Sequence, residues 1–308
     1  MKRSTAECLS RWSALFGGVL VAVLVGRTSV GAIEAVSASS LASSRSTNVA
    51  ISSPWQRIVM IGASATAGFT ASEPFGGTNT QKFSLSRYVD AALTDAHEPV
   101  LNFGNAFFFF QPESVGRQQI TRALTNHPTL IIGLDFPFWF CYGEGDTDEA
   151  RLQRFERGLK LLESIPCPLV IGDIPDASAA VNKMLRPDQM PSSQALAAAN
   201  QRLKAWTAGR KNVGLVALSD FMSKALANRP ITIRDYTLAE GQTRILIQND
   251  FLHPSPPGCS VLALAVLDAA QAMRSPGQTV EFLCDPKAIF QKAAKPLNSK
   301  DRAPVVAK

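Results

Sequence analysis

Five short runs of large apolar residues punctuate the chain: Arg57 to Ile61 (RIVMI), Pro99 to Phe103 (PVLNF), Thr129 to Leu134 (TLIIGL), Pro168 to Ile171 (PLVI) and Val213 to Leu218 (VGLVAL). Each is too short for a helix, and most are rich in β-branched residues, which predicts strands. Between them lie helical patterns at about residues 82–95, 113–126, 148–164 and 193–209, with a last one near 258–273. Near-continuous apolar strands separated by helices predict a parallel sheet covered on both faces. Right-handed crossovers then give a three-layer α/β/α sandwich, with functional residues gathered at the carboxyl ends of the strands.

Two segments interrupt this alternation. Residues 231–248 (ITIRDYTLAEGQTRILIQ) alternate apolar and polar positions around Glu240-Gly241, which predicts a hairpin between the last strand and the last helix. Residues 184–193 carry two prolines and read either as a loop near a substrate mouth or as a plain connector. From Lys292 the chain is basic, alanine-rich and aperiodic, so the folded domain is expected over 54–286 and a disordered basic tail over 287–308.

The other end reads as an address. Lys2, Arg3 and Arg11 precede an apolar run from Trp12 to Val25, and Val30-Gly31-Ala32 offers the small residues of a leader cleavage site. The run falls short of the ~20 residues that a spanning helix needs. A cleaved signal peptide over 1–32 is expected, with a Ser/Ala-rich linker over 33–53, export to the periplasm or beyond, and no stable membrane span afterwards. The net charge of +6 belongs to the two ends: without residues 1–32 and 287–308, 21 basic residues face 23 acidic ones. No basic groove for nucleic acid is indicated.

Cys141, Cys167, Cys259 and Cys284 remain after processing, and either free thiols or one bridge is compatible with their spacing. There is no C-x-x-C, and His97, His127 and His253 do not sit at metal-ligand spacing with the cysteines. No metal or cofactor is expected.

Chemistry concentrates at two places. The first strand runs into Gly62-Ala63-Ser64-Ala65-Thr66-Ala67-Gly68, small residues that turn sharply and expose a hydroxyl at the strand end. The stretch is neither G-x-G-x-x-G nor a P-loop, which argues against a nucleotide. A serine nucleophile needs an imidazole oriented by a carboxylate. His97 and His127 precede Glu98 and Pro128 at helix-to-strand junctions and read as surface imidazoles. His253 lies in Asn249-Asp250-Phe251-Leu252-His253-Pro254, three residues after a carboxylate and just before Ser255-Pro256-Pro257-Gly258 opens the last helix. That loop can aim Asp250 at one ring nitrogen and leave the other for Ser64.

Gly62-x-Ser64 after the first strand, with Asp250-x-x-His253-Pro254 before the last helix, resembles the SGNH/GDSL hydrolase family across about residues 55–275. The resemblance implies a flavodoxin-like five-stranded sandwich and carboxylic ester hydrolysis. It makes Ser64 the nucleophile, His253 the general base and then acid, and Asp250 its orienting partner. By chain position, the N–H groups of Ser64 and Asn105 and the side-chain amide of Asn105 are candidate oxyanion donors. The resemblance implies one donor from a glycine after the second strand, here Gly104, and one from an asparagine after the third. Counted from Gly133, that last position holds Asp135, and an ionised carboxylate only accepts hydrogen bonds.

Aromatic residues crowd the same strand ends: Phe107 to Phe110, then Phe136, Phe138, Trp139, Phe140 and Tyr142. Four consecutive phenylalanines cannot all face one pocket, so core packing is expected among Phe107 to Phe110, whereas Phe138 and Trp139 are candidate substrate walls. Two functions stay open. One is an exported serine esterase acting on a small-molecule, lipid or glycan ester. The other is a catalytically weak domain of the same fold that binds carbohydrate or lipid through an aromatic-lined mouth.

Overall fold

The structure is a computed structural model that describes residues 54–70, 72, 83–143, 147–275 and 279–295. All of them lie in one compact unit, Val49–Lys308. The expected signal peptide and linker, and the tail beyond residue 295, lie outside the described residues.

Strand β1 (Ile58–Met60) is followed by the short helix α1 (Ser64–Ala67) and by α2 (Leu85–Ala92). Next come β2 (Leu101–Asn102), α3 (Pro112–Thr125), β3 (Leu130–Gly133), α4 (Phe138–Cys141), α5 (Asp148–Leu162) and β4 (Leu169–Gly172). The chain continues through α6 (Ser193–Ala208), β5 (Val213–Val216), α7 (Leu218–Leu226), β6 (Ile231–Ile233) and β7 (Tyr236–Leu238). It closes with α8 (Pro256–Ala272) and α9 (Pro286–Ala294). Strands β1 to β5 form one parallel sheet in the order β2-β1-β3-β4-β5. That is the flavodoxin-like order, with its switch point between β1 and β3, where open α/β sheets place their ligands.

Burial follows the strand positions. Every residue of β1, β3 and β4 is buried, as a strand covered on both faces requires, whereas edge strand β5 alternates. One helical layer joins α2, α8 and α9; another joins α3, α5 and α6 in a row. Helix α8 is apolar on nearly all sides and sits at the centre of the first layer, with Val261, Leu264, Val266 and Leu267 fully enclosed.

Three expectations need correction. The hairpin turns at Arg234-Asp235, where Arg234 has φ 52°, and pairs Ile231 with Leu238 and Ile233 with Tyr236. Glu240-Gly241 comes after it, because Asn228 draws the chain away: its side-chain oxygen accepts the Thr243 and Arg244 N–H groups and its carbonyl accepts that of Gly241. What looked like the second strand therefore becomes the 3₁₀ turn Arg244–Leu246.

The domain also does not end at 286. Asp285 caps α9 and Pro286 occupies its first turn, while Ile289 and Ala293, four residues apart, are buried against the α2 and α8 layer. Arg87 Nε donates to the Ala293 carbonyl and Lys292 Nζ to that of Leu93, so these basic residues of α2 and α9 tie the two helices together. Finally, the VGLVAL run stops as a strand at Val216. Asp173 accepts both the N–H and the hydroxyl of Ser219, which starts α7 there.

The segment over 184–193 is a connector. Its 3₁₀ turn Pro187–Gln189 packs on the buried Arg151, whose guanidinium donates to the Asp188 and Gln189 carbonyls. None of its residues lines the pocket described below.

His97 is more than a solvated surface imidazole. Its Nδ1 meets the Asp95 carbonyl and its Nε2 lies 3.4 Å from Asp90 Oδ1. Burial raises the Asp90 carboxyl, but hydrogen bonds from His97 and the Val100 N–H outweigh it and hold the group below its usual range. The same Asp90 contact, opposed by burial, raises the His97 imidazole. This pair contributes fully below the ordinary histidine value of about 6.5 and is lost as pH rises through the higher folded value. Between pH 6 and pH 9, wild type should lose roughly 1–3 °C more in Tm than His97→Gln. Equal losses in a thermal-melt series would remove the pair from the account.

Candidate active site

Gly62 begins the site by allowing the chain to turn after β1. It has φ 146°, and a Cβ there would lie 2.1 Å from Asp135 Oδ1, so no side chain fits. Gln119 of α3, buried, fixes that glycine in both directions: its Oε1 accepts the Gly62 N–H at 2.9 Å and its Nε2 donates to the Gly62 carbonyl at 2.8 Å. In this way a glutamine amide stands in for a neighbouring strand.

Asp135, at the end of β3, holds the next residues. Its Oδ1 accepts the Ala63 N–H at 3.0 Å and the Thr66 hydroxyl at 2.5 Å; its Oδ2 accepts the Ala65 and Thr66 N–H groups at 2.8 and 3.2 Å. Burial raises this carboxyl above the usual range, and those four donors pull in the opposite direction. Both oxygens are turned to the β1 turn, so Asp135 is no oxyanion donor. The backbone N–H groups of Gly104 and Asn105 are also committed. The Gly104 N–H goes to Asn102 Oδ1 and the Asn105 N–H to the Gly62 carbonyl, while Asn105 Oδ1 accepts the Phe107 N–H and caps a turn. Among the described residues, the Ser64 N–H is the backbone donor of this turn left without an acceptor.

The D-x-x-H-P loop supplies the rest. Asp250 Oδ1 accepts the Leu252 and His253 N–H groups, an Asx-type turn that requires Phe251 at φ 62°. Its Oδ2 lies 2.8 Å from His253 Nδ1, and His253 Nε2 lies 2.8 Å from Ser64 Oγ. Ser64, His253 and Asp250, 189 residues apart at the extremes of the motif pair, thus form one hydrogen-bonded chain. Burial works to raise the Asp250 carboxyl, but its bonds to His253 and the two N–H groups hold it below the usual carboxylate range. It remains an anion across neutral pH.

The loop is locked against its surroundings. Gln248 Nε2 donates to the carbonyls of Phe69 and Pro254, and the Phe69 ring stacks on the imidazole with centroids 4.2 Å apart. Gly258 lets α8 approach, since a Cβ there would lie 2.0 Å from the Leu246 carbonyl oxygen. Lys183 and Arg244 both sit over the Phe251 ring.

An apolar pocket opens at Ser64 and His253. Leu134, Phe138 and Trp139 form one wall, Leu218, Phe221 and Met222 of α7 another, with Leu252 and Leu262 completing it. Phe138 and Trp139 take the wall positions expected of them. Phe108 enters the core against Phe136 and Phe140, whereas Phe107 and Phe110 stand 43% and 64% exposed and line neither core nor pocket.

Cys141, Cys167, Cys259 and Cys284 are free thiols. Burial pushes the Cys141 thiol up to about 12 and Cys167 to about 11, and Cys259 higher still, so none of these three is a competing nucleophile at neutral pH. No cluster of possible metal ligands, and no helix long and apolar enough to cross a membrane, occurs among the described residues.

No family model and no curated protein matches the sequence. Solved structures that match in fold include the lipase/acylhydrolase from Enterococcus faecalis, 18% identical over 73% of this chain and 100% of that one, with a TM-score of 0.48. A GDSL-like lipase from Parabacteroides merdae is 16% identical over 71% and 96% of the two chains, at 0.44. A catalytic mutant of an acetylxylan esterase from Geobacillus stearothermophilus is 13% identical over 71% and 97%, at 0.42.

Proposed function

We propose that the chain is an exported serine esterase of SGNH type that cleaves a carboxylic ester through Ser64, His253 and Asp250. The observation that carries this reading is the unbroken chain of two 2.8 Å contacts from the Ser64 hydroxyl through the imidazole to a buried carboxylate. Ser64 Oγ attacks the ester carbonyl carbon while its proton passes to His253 Nε2. Asp250 accepts the Nδ1–H, holding the tautomer that leaves Nε2 free to take a proton and stabilising the imidazolium. The tetrahedral intermediate collapses as the C–O bond to the alcohol breaks, and His253 returns its proton to the departing oxygen. Water then repeats the sequence on the acyl-enzyme and releases the acid. Export rests on the basic, apolar and small-residue order of residues 1–32.

The Ser64 N–H supplies the oxyanion contact. With Asp135 turned away and the Gly104 and Asn105 N–H groups engaged, the site is short of backbone donors, and each missing donor costs about 100- to 1000-fold in turnover. That shortage is the observation favouring the second reading, a weakly catalytic domain that binds through its apolar mouth. A fluorophosphonate probe separates the two. The esterase should be labelled stoichiometrically, with the adduct mapped to Ser64 by peptide mass analysis. A folded sample that stays unlabelled would establish the binding domain instead.

A further inference from the structure

Resting on that esterase reading, we propose that the pocket admits short, unsubstituted acyl groups of about two to four carbons and turns away longer chains. The pocket is a recess open on one side, and the space within it is about 50 Å³. At ~10–15 Å³ for each water-sized group, it holds roughly three to five non-hydrogen atoms, whereas an apolar cavity that takes benzene measures about 150 Å³. An octanoyl chain exceeds that space.

The enclosed side suits the acyl half of the ester. After the first step the alcohol must leave and water must enter, but the acyl group stays bonded to Ser64 Oγ. The recess beside Ser64 therefore serves the fragment that remains. The lining also restricts chemistry. Its polar side chains are Ser64, His253, Asp135 and Trp139; both Asp135 oxygens are already taken by the β1 turn, and the Trp139 indole offers a single N–H. A charged acyl group, or one carrying several hydroxyls, would find too few partners there and forfeit its hydration.

The walls do not yield easily. Arg154 donates to the Phe140 and Tyr142 carbonyls, and the buried Tyr142 hydroxyl donates to the Pro175 carbonyl while accepting the Ala177 N–H. These contacts pin the α4 wall to the loop after β4. Met222, on α7, is the lining residue with the most rotatable side chain. Shortening it should enlarge the pocket.

The test is a series of p-nitrophenyl acetate, butyrate, hexanoate and octanoate with the purified chain, read as kcat/KM. Acetate and butyrate should lie within about tenfold of each other, with octanoate ~100-fold or more below both. Met222→Ala should raise the hexanoate-to-acetate ratio about tenfold. Octanoate cleaved as well as acetate, by a protein whose Ser64 takes the fluorophosphonate, would overturn the short-acyl selection and leave the esterase standing. No cleavage of any ester, together with no adduct, would overturn both.

Discussion

Ser64→Ala will lower kcat for an aryl acetate by about 10⁴- to 10⁶-fold while Tm stays within a few degrees of wild type. Ser64 Oγ gives one hydrogen bond, to His253, and its loss leaves the imidazole facing the pocket it lines and still tethered to Asp250. His253→Ala should cost the same order of activity, because nucleophile and base act as one unit. Asp250→Ala should retain more, since the imidazole remains beside the hydroxyl, but it also strips the acceptor from two backbone N–H groups of the loop. Stopped-assay rates on purified variants decide the matter. A Ser64→Ala protein that turns over at the wild-type rate would end the serine mechanism.

Asp135→Asn will destabilise the fold and silence the site together. An ionised carboxylate can accept four donors, but an asparagine amide has one accepting oxygen and points an NH₂ group at N–H groups that already need acceptors. Whichever way the amide is turned, at least one N–H of the Ala63 to Thr66 turn loses its partner. The loss of charge-assisted bonds in a buried setting should cost about 2–4 kcal/mol, or roughly 5–15 °C in Tm. Activity should fall with it, because that turn carries Ser64. This reverses the result expected of an Asp135 that merely occupies an amide's place, where Asp135→Asn would restore a donor and leave activity equal or higher. Thr66→Val removes only the hydroxyl bond and should cost about 1 kcal/mol. Unchanged melting of Asp135→Asn would show that the turn holds itself.

The layer architecture and the two ends of the hydrogen-bonded chain were legible because each is local in sequence. A strand running into a glycine-rich turn, and a carboxylate three residues before a histidine, can be read without knowing what lies across the sheet. The supports of the site are the opposite case. Gln119 lies 57 residues from Gly62 and belongs to a helix whose pattern offers no reason to single it out. Asp135 was noticed, but spacing alone could not say which way its oxygens turn. The pocket floor was missed for a simpler reason. Leu218, Phe221, Met222 and Ala225 repeat at helical spacing, but the VGLVAL run was extended to Leu218 and absorbed the start of α7. At the carboxyl end, lysine and alanine content concealed the buried pair Ile289 and Ala293.

The stacking of Phe69 on His253 has a kinetic meaning. A ring covered on one face at 4.2 Å, tethered at Nδ1 and closed in by a loop bonded to the Phe69 carbonyl, has no room to flip about its Cβ–Cγ bond. The same nitrogen that takes the serine proton must therefore hand it on, so both half-reactions share one proton carrier in one orientation. Attacking water in the second half-reaction must approach where the alcohol departed. Nucleophiles small enough to follow that route, such as methanol or hydroxylamine, should compete with water for the acyl-enzyme, while bulky amines should not.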